Sequence, residues 1–301
     1  MEVRHPGSVP DFITVWLYGA LGTVRTRGSL VHSTMIRLLA SDVDGTLFNS
    51  DRRVSDQNKQ ALRRAQDAGI VVCLASGRLI PTLRPAMVAA GVEGPMITCN
   101  GAYAEAEDGT VLVNELLNKK AQRFILEYSQ KHHVNANVYQ PRRVLGTHES
   151  EMMELYRTRT MASPTLMGWD ALHGEPATKM IFVDHPSKNL EHKEHFTPFQ
   201  AEYGFDLTVS EPEYLEFLPT GVNKGTALAK LAAHLRFAQY EVAAIGDYHN
   251  DREMLEWAGL SATPTSGAPE LKEIADVVVA SNDDHGVAEF VEYILERNSH
   301  Q

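Results

Sequence analysis

IRLLASDVDGTL, residues 36–47, is an apolar run that stops at two carboxylates spaced two apart and is followed by Gly-Thr. Ile36, Leu38, Leu39 and Ala40 are too few for a helix and too continuous for a half-exposed strand, which predicts a short buried strand of a parallel sheet. Asp42 and Asp44 then fall at its carboxyl end. That edge is where open α/β sheets bind ligands, because the loops there line the crevice at the switch of strand order. Side chains two apart on a strand point the same way, so both carboxylates face one side. Gly45 lets the backbone turn sharply, and Thr46 offers a hydroxyl and an N–H to whatever sits between.

Working outward, Ser55 precedes an alternation of Ala61, Leu62, Ala65 and Ala68 that closes at Gly69, which reads as a capped amphipathic helix. Residues 70–75 form a second buried strand ending in Ser76-Gly77-Arg78. A helix over 81–90 stops at Gly91, and 95–99 is a third strand ending in Asn100-Gly101. Strand, helix, strand, helix, strand is the pattern of a doubly wound parallel sheet. From residue 118 the texture changes. A helix (121–131), short alternating strands (136–140, 178–184, 205–210, 214–218) and charged helical stretches (149–157, 188–202) make a separate α+β insert over 118–217. Sheet texture resumes at Gly221, where Val222-Asn223-Lys224-Gly225 opens a helix. The apolar strand 241–246 then runs into Asp247-Tyr248-His249-Asn250-Asp251. A helix through Met254, Leu255 and Ala258, a strand over 277–280 and a final helix over 287–295 complete the chain. The expected architecture is a Rossmann-like core of residues 35–117 and 218–301 with residues 118–217 inserted as a cap.

The 301 residues are 43% hydrophobic and 22% charged, enough for a sizeable core. With 39 acidic against 28 basic residues, formally −11, the chain lacks the clustered cations that nucleic acid or an anionic membrane requires. Cys73 and Cys99 both lie in apolar runs and read as buried thiols, which fits a reducing cytoplasm. Residues 1–34 do not match the rest. Their interrupted apolar stretch, 12–24, loosely imitates a signal peptide and is too short to span a bilayer. An upstream extension or a misplaced start, with Met35 just before the first strand, is the preferred reading.

A parallel sheet gathers its carboxyl edges, so Asp42, Asp44, Ser76, Lys224, Asp247, Asn250 and Asp251 are expected in one crevice. Several carboxylates there repel one another and raise each other's pKa unless a cation sits among them. Oxygen ligands without imidazole or thiolate indicate Mg²⁺ rather than zinc. Lys224 and the hydroxyls of Thr46 and Ser76 add positive charge and donors facing a tetrahedral anion. That is the inventory phosphoryl transfer uses.

DVDGT, SGR, the lysine of GVNKG and GDYHND, in this order, resemble the four motifs of the haloacid dehalogenase superfamily of phosphohydrolases. The insert of about 100 residues between the second and third motifs is similar in place and size to the α/β (type IIB) cap of the Cof-type sugar-phosphate phosphatases. The resemblance runs from Met35 to about Ile294. It implies Asp42 as nucleophile, giving an aspartyl-phosphate, and Asp44 as the acid that protonates the leaving oxygen and then activates water, its pKa raised by neighbouring charge. It implies Mg²⁺ held by Asp42, Asp247 and the Asp44 backbone carbonyl, with Asp251 as ligand or orienting group and Asn250 in support. Lys224, Ser76 and Thr46 would hold the transferring group, with Gly77 and Gly45 letting the backbone approach. The implied activity is Mg²⁺-dependent hydrolysis of small phosphorylated metabolites, sugar phosphates foremost. A phosphomutase on the same fold and a catalytically idle sensor of phosphate esters are the alternatives; retention of both Asp42 and Asp44 argues against the sensor.

Two departures bear on the pocket. The stretch 262–268 replaces the family's usual turn after the fourth motif, and Tyr248-His249 puts two rings either at the mouth or on the surface. Arg78 either touches substrate or pairs with a core carboxylate. Asn100 and Gly101 either line the pocket or only turn the chain. In the cap, Tyr139, Arg142, Arg143, His148 and Lys179 are candidate substrate contacts, against a solvated face for each. His132, His133 and His185 lack partners at metal spacing.

Overall fold

A computed structural model of the chain describes residues 35–300, together with the backbone of strands Phe12–Leu17 and Ala20–Arg25. Those two strands pair antiparallel and reach Val277 at one edge of the main sheet. The reading of residues 1–34 otherwise falls outside the described residues.

The predicted first strand is Leu38–Ser41, every residue of it buried. It is flanked by Val71–Ala75 on one side and Val242–Ile245 on the other, both parallel to it. From that centre the sheet continues through Met96–Thr98 in one direction and through Leu260–Pro264 and Val277–Val279 in the other. The chain therefore winds outward one way before the insert and the other way after it, and the switch of strand order lies between Leu38–Ser41 and Val242–Ile245. The two aspartate motifs sit there side by side, with the Asp42 N–H donating to the Ile245 carbonyl at 3.0 Å.

Helices cover both faces, as continuous apolar strands require. Helix Asp56–Asp67, capped by the Ser55 hydroxyl, packs with Ile80–Ala90 and Gly286–Ser299 on one face. Lys224–Leu235, Arg252–Trp257 and Pro269–Ile274 cover the other. Ala262, Thr263 and Pro264, expected in a turn, instead belong to the buried strand Leu260–Pro264. Its Ser, Thr and Pro content disguises a strand whose neighbours on both sides supply the pairing. Tyr103–Glu105 and Val111–Asn114 add two antiparallel strands at the far edge.

The insert forms a second sheet in the order Thr165–Leu166, Arg143–Gly146, Asn135–Gln140, Lys179–Val183, Tyr214–Pro219, Phe205–Glu211. The helical stretch expected over 188–202 is broken into Pro186–Phe196 and Gln200–Tyr203, since Pro198 cannot donate to a continuing helix. Alternation along the central strands divides their labour. Met180, Phe182, Leu215 and Phe217 pack beneath the outer helices, while Ile181, Val183, Tyr214 and Leu218 face the first domain together with Leu79 and Cys99. No helix among the described residues is long and apolar enough to cross a membrane.

Phe217 is fully buried, with ring centroids 4.8 Å from Phe196 and 4.9 Å from Phe182. Phe217→Ala is expected to cost about 3–5 kcal/mol, read by urea unfolding; a loss under about 1 kcal/mol would show that the insert does not depend on this ring cluster.

Candidate active site

Strand geometry delivers the carboxylates and one helix start delivers the cation. Asn223 caps Lys224–Leu235 through the Thr226 N–H, so Lys224 is the first helical residue and its side chain runs back beneath the sheet edge. There its ammonium, fully buried, donates to Asp42 Oδ1 at 2.5 Å and Asp251 Oδ1 at 2.6 Å. The other Asp251 oxygen accepts the Asp247 and Tyr248 backbone N–H groups at 3.0 and 3.2 Å, which fixes the fourth-motif loop. Thr46 donates its hydroxyl to Asp247 Oδ1 at 2.7 Å. Gly45, at φ +83°, is required twice: for its left-handed backbone, and because a methyl there would run into the Asp247 carboxylate.

Asp42, Asp247 and Asp251 bring carboxylate oxygens within 4.8 Å of one another. Burial pushes the Asp42 carboxyl up, the Lys224 ammonium opposes it, and the charges of Asp251, Asp247 and Asp44 add to the rise. Asp247 is pushed up to about 7 by burial and by Asp251. Lys224 has burial against it, but the charges of Asp251 and Asp42 hold it above its ordinary value. Three carboxylates thus share one ammonium, an excess of negative charge that a divalent cation with oxygen ligands would relieve. The donor set fits such an ion.

Asp44 stands apart. Its side chain is 39% exposed, and Arg78 forks onto both of its oxygens at 2.6 and 2.7 Å. Of the two roles open to Arg78, the structure shows the carboxylate pairing, with Asp44 as the partner. Ser76 accepts the Arg78 backbone N–H at 3.2 Å, and Gly77 lies against the Asn100 amide, where a Cβ would be tight at 3.2 Å. Asn100 turns the chain and sits behind the cleft wall: it is buried at φ 54° and bonded to Asn250 at 3.1 Å. Gly101 presses so close to the Asn223 carbonyl that no side chain fits.

Above this floor lies a cleft open to solvent on one side and roofed by the second sheet. Of the cap candidates, Tyr139 and Lys179 line it. Arg143 pairs with Glu175 at 3.0 Å, and His148 packs on Trp169 at 4.9 Å, both away from the cleft; Arg142 does not line it either. Tyr248 lines the mouth, whereas His249 turns to Glu270. Sequence reading missed Tyr156, Arg159, Glu211, Tyr214 and Glu216, which also form the roof. The alternation within 214–218 was the available signal, since it puts Tyr214 and Glu216 on one face.

A family model for haloacid dehalogenase-like hydrolases matches residues 39–291. A putative phosphatase of Streptococcus pyogenes serotype M6, M6_Spy0533, is 32% identical, covering 84% of this chain and 96% of the relative. The HMP-PP phosphatase of Yersinia pseudotuberculosis is 27% identical over 87% of this chain and 96% of its own. Among solved structures, TM0651 from Thermotoga maritima superposes with a TM-score of 0.75 at 25% identity, covering 86% of this chain and 97% of that one.

The raised Asp247 carboxyl predicts a pH signature. Because its folded-state pKa lies above the unfolded value, the folded state binds the proton more tightly, and this group's contribution to stability falls as pH rises from about 4 to about 7. In EDTA, the melting temperature of the wild type relative to Asp247→Asn is expected to decline across that window. A constant difference between the two would refute it. With this geometry and these relatives on record, the chain belongs to the haloacid dehalogenase-like hydrolase family, as a Cof-type phosphatase.

Proposed function

We propose that the protein is a Mg²⁺-dependent phosphatase that hydrolyses small phosphorylated metabolites, sugar phosphates foremost, through an aspartyl-phosphate on Asp42. The observation that carries this reading is the Asp42 carboxylate, held by the buried Lys224 ammonium at the floor of a roofed cleft. Residues 35–117 and 218–301 serve as the catalytic core and 118–217 as the cap. The two buried cysteines, free of disulfides, support a cytoplasmic setting.

Asp42 attacks phosphorus while the bond to the leaving oxygen breaks, and Asp44 gives that oxygen its proton. Asp44 then takes a proton from water, which attacks phosphorus, frees inorganic phosphate and restores Asp42. Arg78 has to release Asp44 for this, and an arriving phosphate dianion competes for the same guanidinium; the freed carboxylate then takes a proton from solvent before it acts as the acid. Lys224 fixes the nucleophile and faces the phosphoryl oxygens, with the Ser76 hydroxyl and the Thr46 and Gly77 backbone N–H groups as further donors, the Thr46 hydroxyl being taken by Asp247. Asp42, Asp247 and the Asp44 carbonyl would hold Mg²⁺, and Asp251, already anchoring Lys224, orients the set. When bound, the ion supplies the charge that offsets the attacking carboxylate and the transferring group.

The relatives' named substrates differ: one is HMP-PP, another 5-amino-6-(5-phospho-D-ribitylamino)uracil, acted on by a Bacillus subtilis phosphatase 27% identical over 86% of this chain and 95% of its own. The test is therefore phosphate release from a panel of sugar phosphates, nucleotides and phosphorylated cofactors, with Mg²⁺ and then EDTA. Release that stops in EDTA is expected, and no release from any compound would reject the reading. Asp42→Asn keeps the shape but not the nucleophilicity, so turnover should fall at least about 10³-fold with the melting temperature little changed. Wild-type turnover in that variant would remove Asp42 from the role.

A further inference from the structure

Between the roof and the catalytic floor runs a buried polar chain that the reaction as described does not use. Glu216, 1% exposed, takes three donors: Lys179 Nζ at 2.6 Å, Asn100 Nδ2 at 2.7 Å and the Ser210 hydroxyl. Lys179, Ser210 and Glu216 belong to the second sheet, whereas Asn100 belongs to the core. Asn100 passes the link on, accepting from Asn250 Nδ2 at 3.1 Å, and Asn250 adjoins the Asp251 that holds Lys224.

The turn bearing Asn100 touches nearly every part of the site. Its Cys99 and Asn100 N–H groups donate to the carbonyls of Arg78 and Ser76, in the second motif. Gly101 abuts the start of the Lys224 helix. Cys99 and Asn100 both hold left-handed backbone, φ 53° and 54°, a conformation that non-glycine residues keep only when the surroundings impose it. We infer that Asn100 is a positioning residue: its carboxamide latches the cap, through Glu216, to the Asn250–Asp251 loop, so that the site is in register when the cap is closed.

The chemistry suits a reversible latch. Lys179 and Glu216 travel together on the cap, so their ion pair survives opening, and neither is left as an isolated buried charge. Opening breaks the Asn100 bond, which water replaces at both ends at small net cost, along with the apolar contact of Leu79 and Cys99 against the roof.

Asn100→Gly is the clean probe, because glycine adopts the same backbone freely and deletes only the side chain. Small-angle scattering of the substrate-free protein should show a larger radius of gyration than wild type. For the best substrate of the panel, kcat/KM should fall about tenfold, equivalent to about 1.4 kcal/mol, with a smaller fall for acetyl phosphate, which does not reach the roof. Lys179→Met with Glu216→Leu removes the same link from the cap side while leaving no unpaired ion, and adding Asn100→Gly to it should give no further loss. Unchanged scattering, unchanged kcat/KM or additive losses would each overturn the latch. The kinetic arm rests on the phosphatase reading and the scattering arm does not. Phosphate release from no compound, with an expanded Asn100→Gly, would reject the activity and keep the link between cap and core.

Discussion

Charge neutrality beneath the sheet edge is the constraint on which the rest depends. A fully buried ammonium is tolerable only with partners in contact, and Lys224 has two, supplied by strands that flank the switch of order. This explains why the first and fourth motifs sit on adjacent strands, why the helix after the insert begins at Lys224, and why the loop through Asp251 is pinned by its own carboxylate. Three acids and one base nevertheless leave negative charge uncompensated. The acidic cluster of Asp42, Asp247 and Asp251 is therefore a set of donors that could hold a divalent cation.

Much of this is legible in the chain because local signals and global topology agree. A buried strand ending in two acids, a Ser cap before a helix and Asn223 before Lys224 each state their role within a few residues. The strand Leu260–Pro264 is legible only from its neighbours: its Ser261, Thr263 and Pro264 argue locally for a turn, and pairing on both sides overrides them. The Arg78–Asp44 fork spans 34 residues and the Asn100–Glu216 bond 116, and no spacing rule connects such pairs. The first arises where two neighbouring strands of one sheet end together, and the second from the approach of two sheets, which one sequence does not encode in readable form.

The Asp44–Arg78 fork gives the site a resting state. Asp44 and Arg78 satisfy each other there, with both carboxyl oxygens on the one guanidinium. In the mechanism proposed above, a phosphate ester would undo that pairing by offering the guanidinium a second anion. Substrate recognition and release of Asp44 would then be one event, resting on the geometry of a planar fork that a lysine would not reproduce.

The alternation of the cap strands also separates two histories of substitution. On Lys179–Val183 and Tyr214–Pro219 every second residue belongs to the cap's own core and its neighbours belong to the roof. Changes at Met180, Phe182, Leu215 or Phe217 are filtered by folding, whereas changes at Ile181 or Tyr214 are filtered by what the cleft admits. A lineage can therefore exchange one metabolite for another by drifting along one face of two strands, while the opposite face keeps the scaffold and the core keeps the reaction.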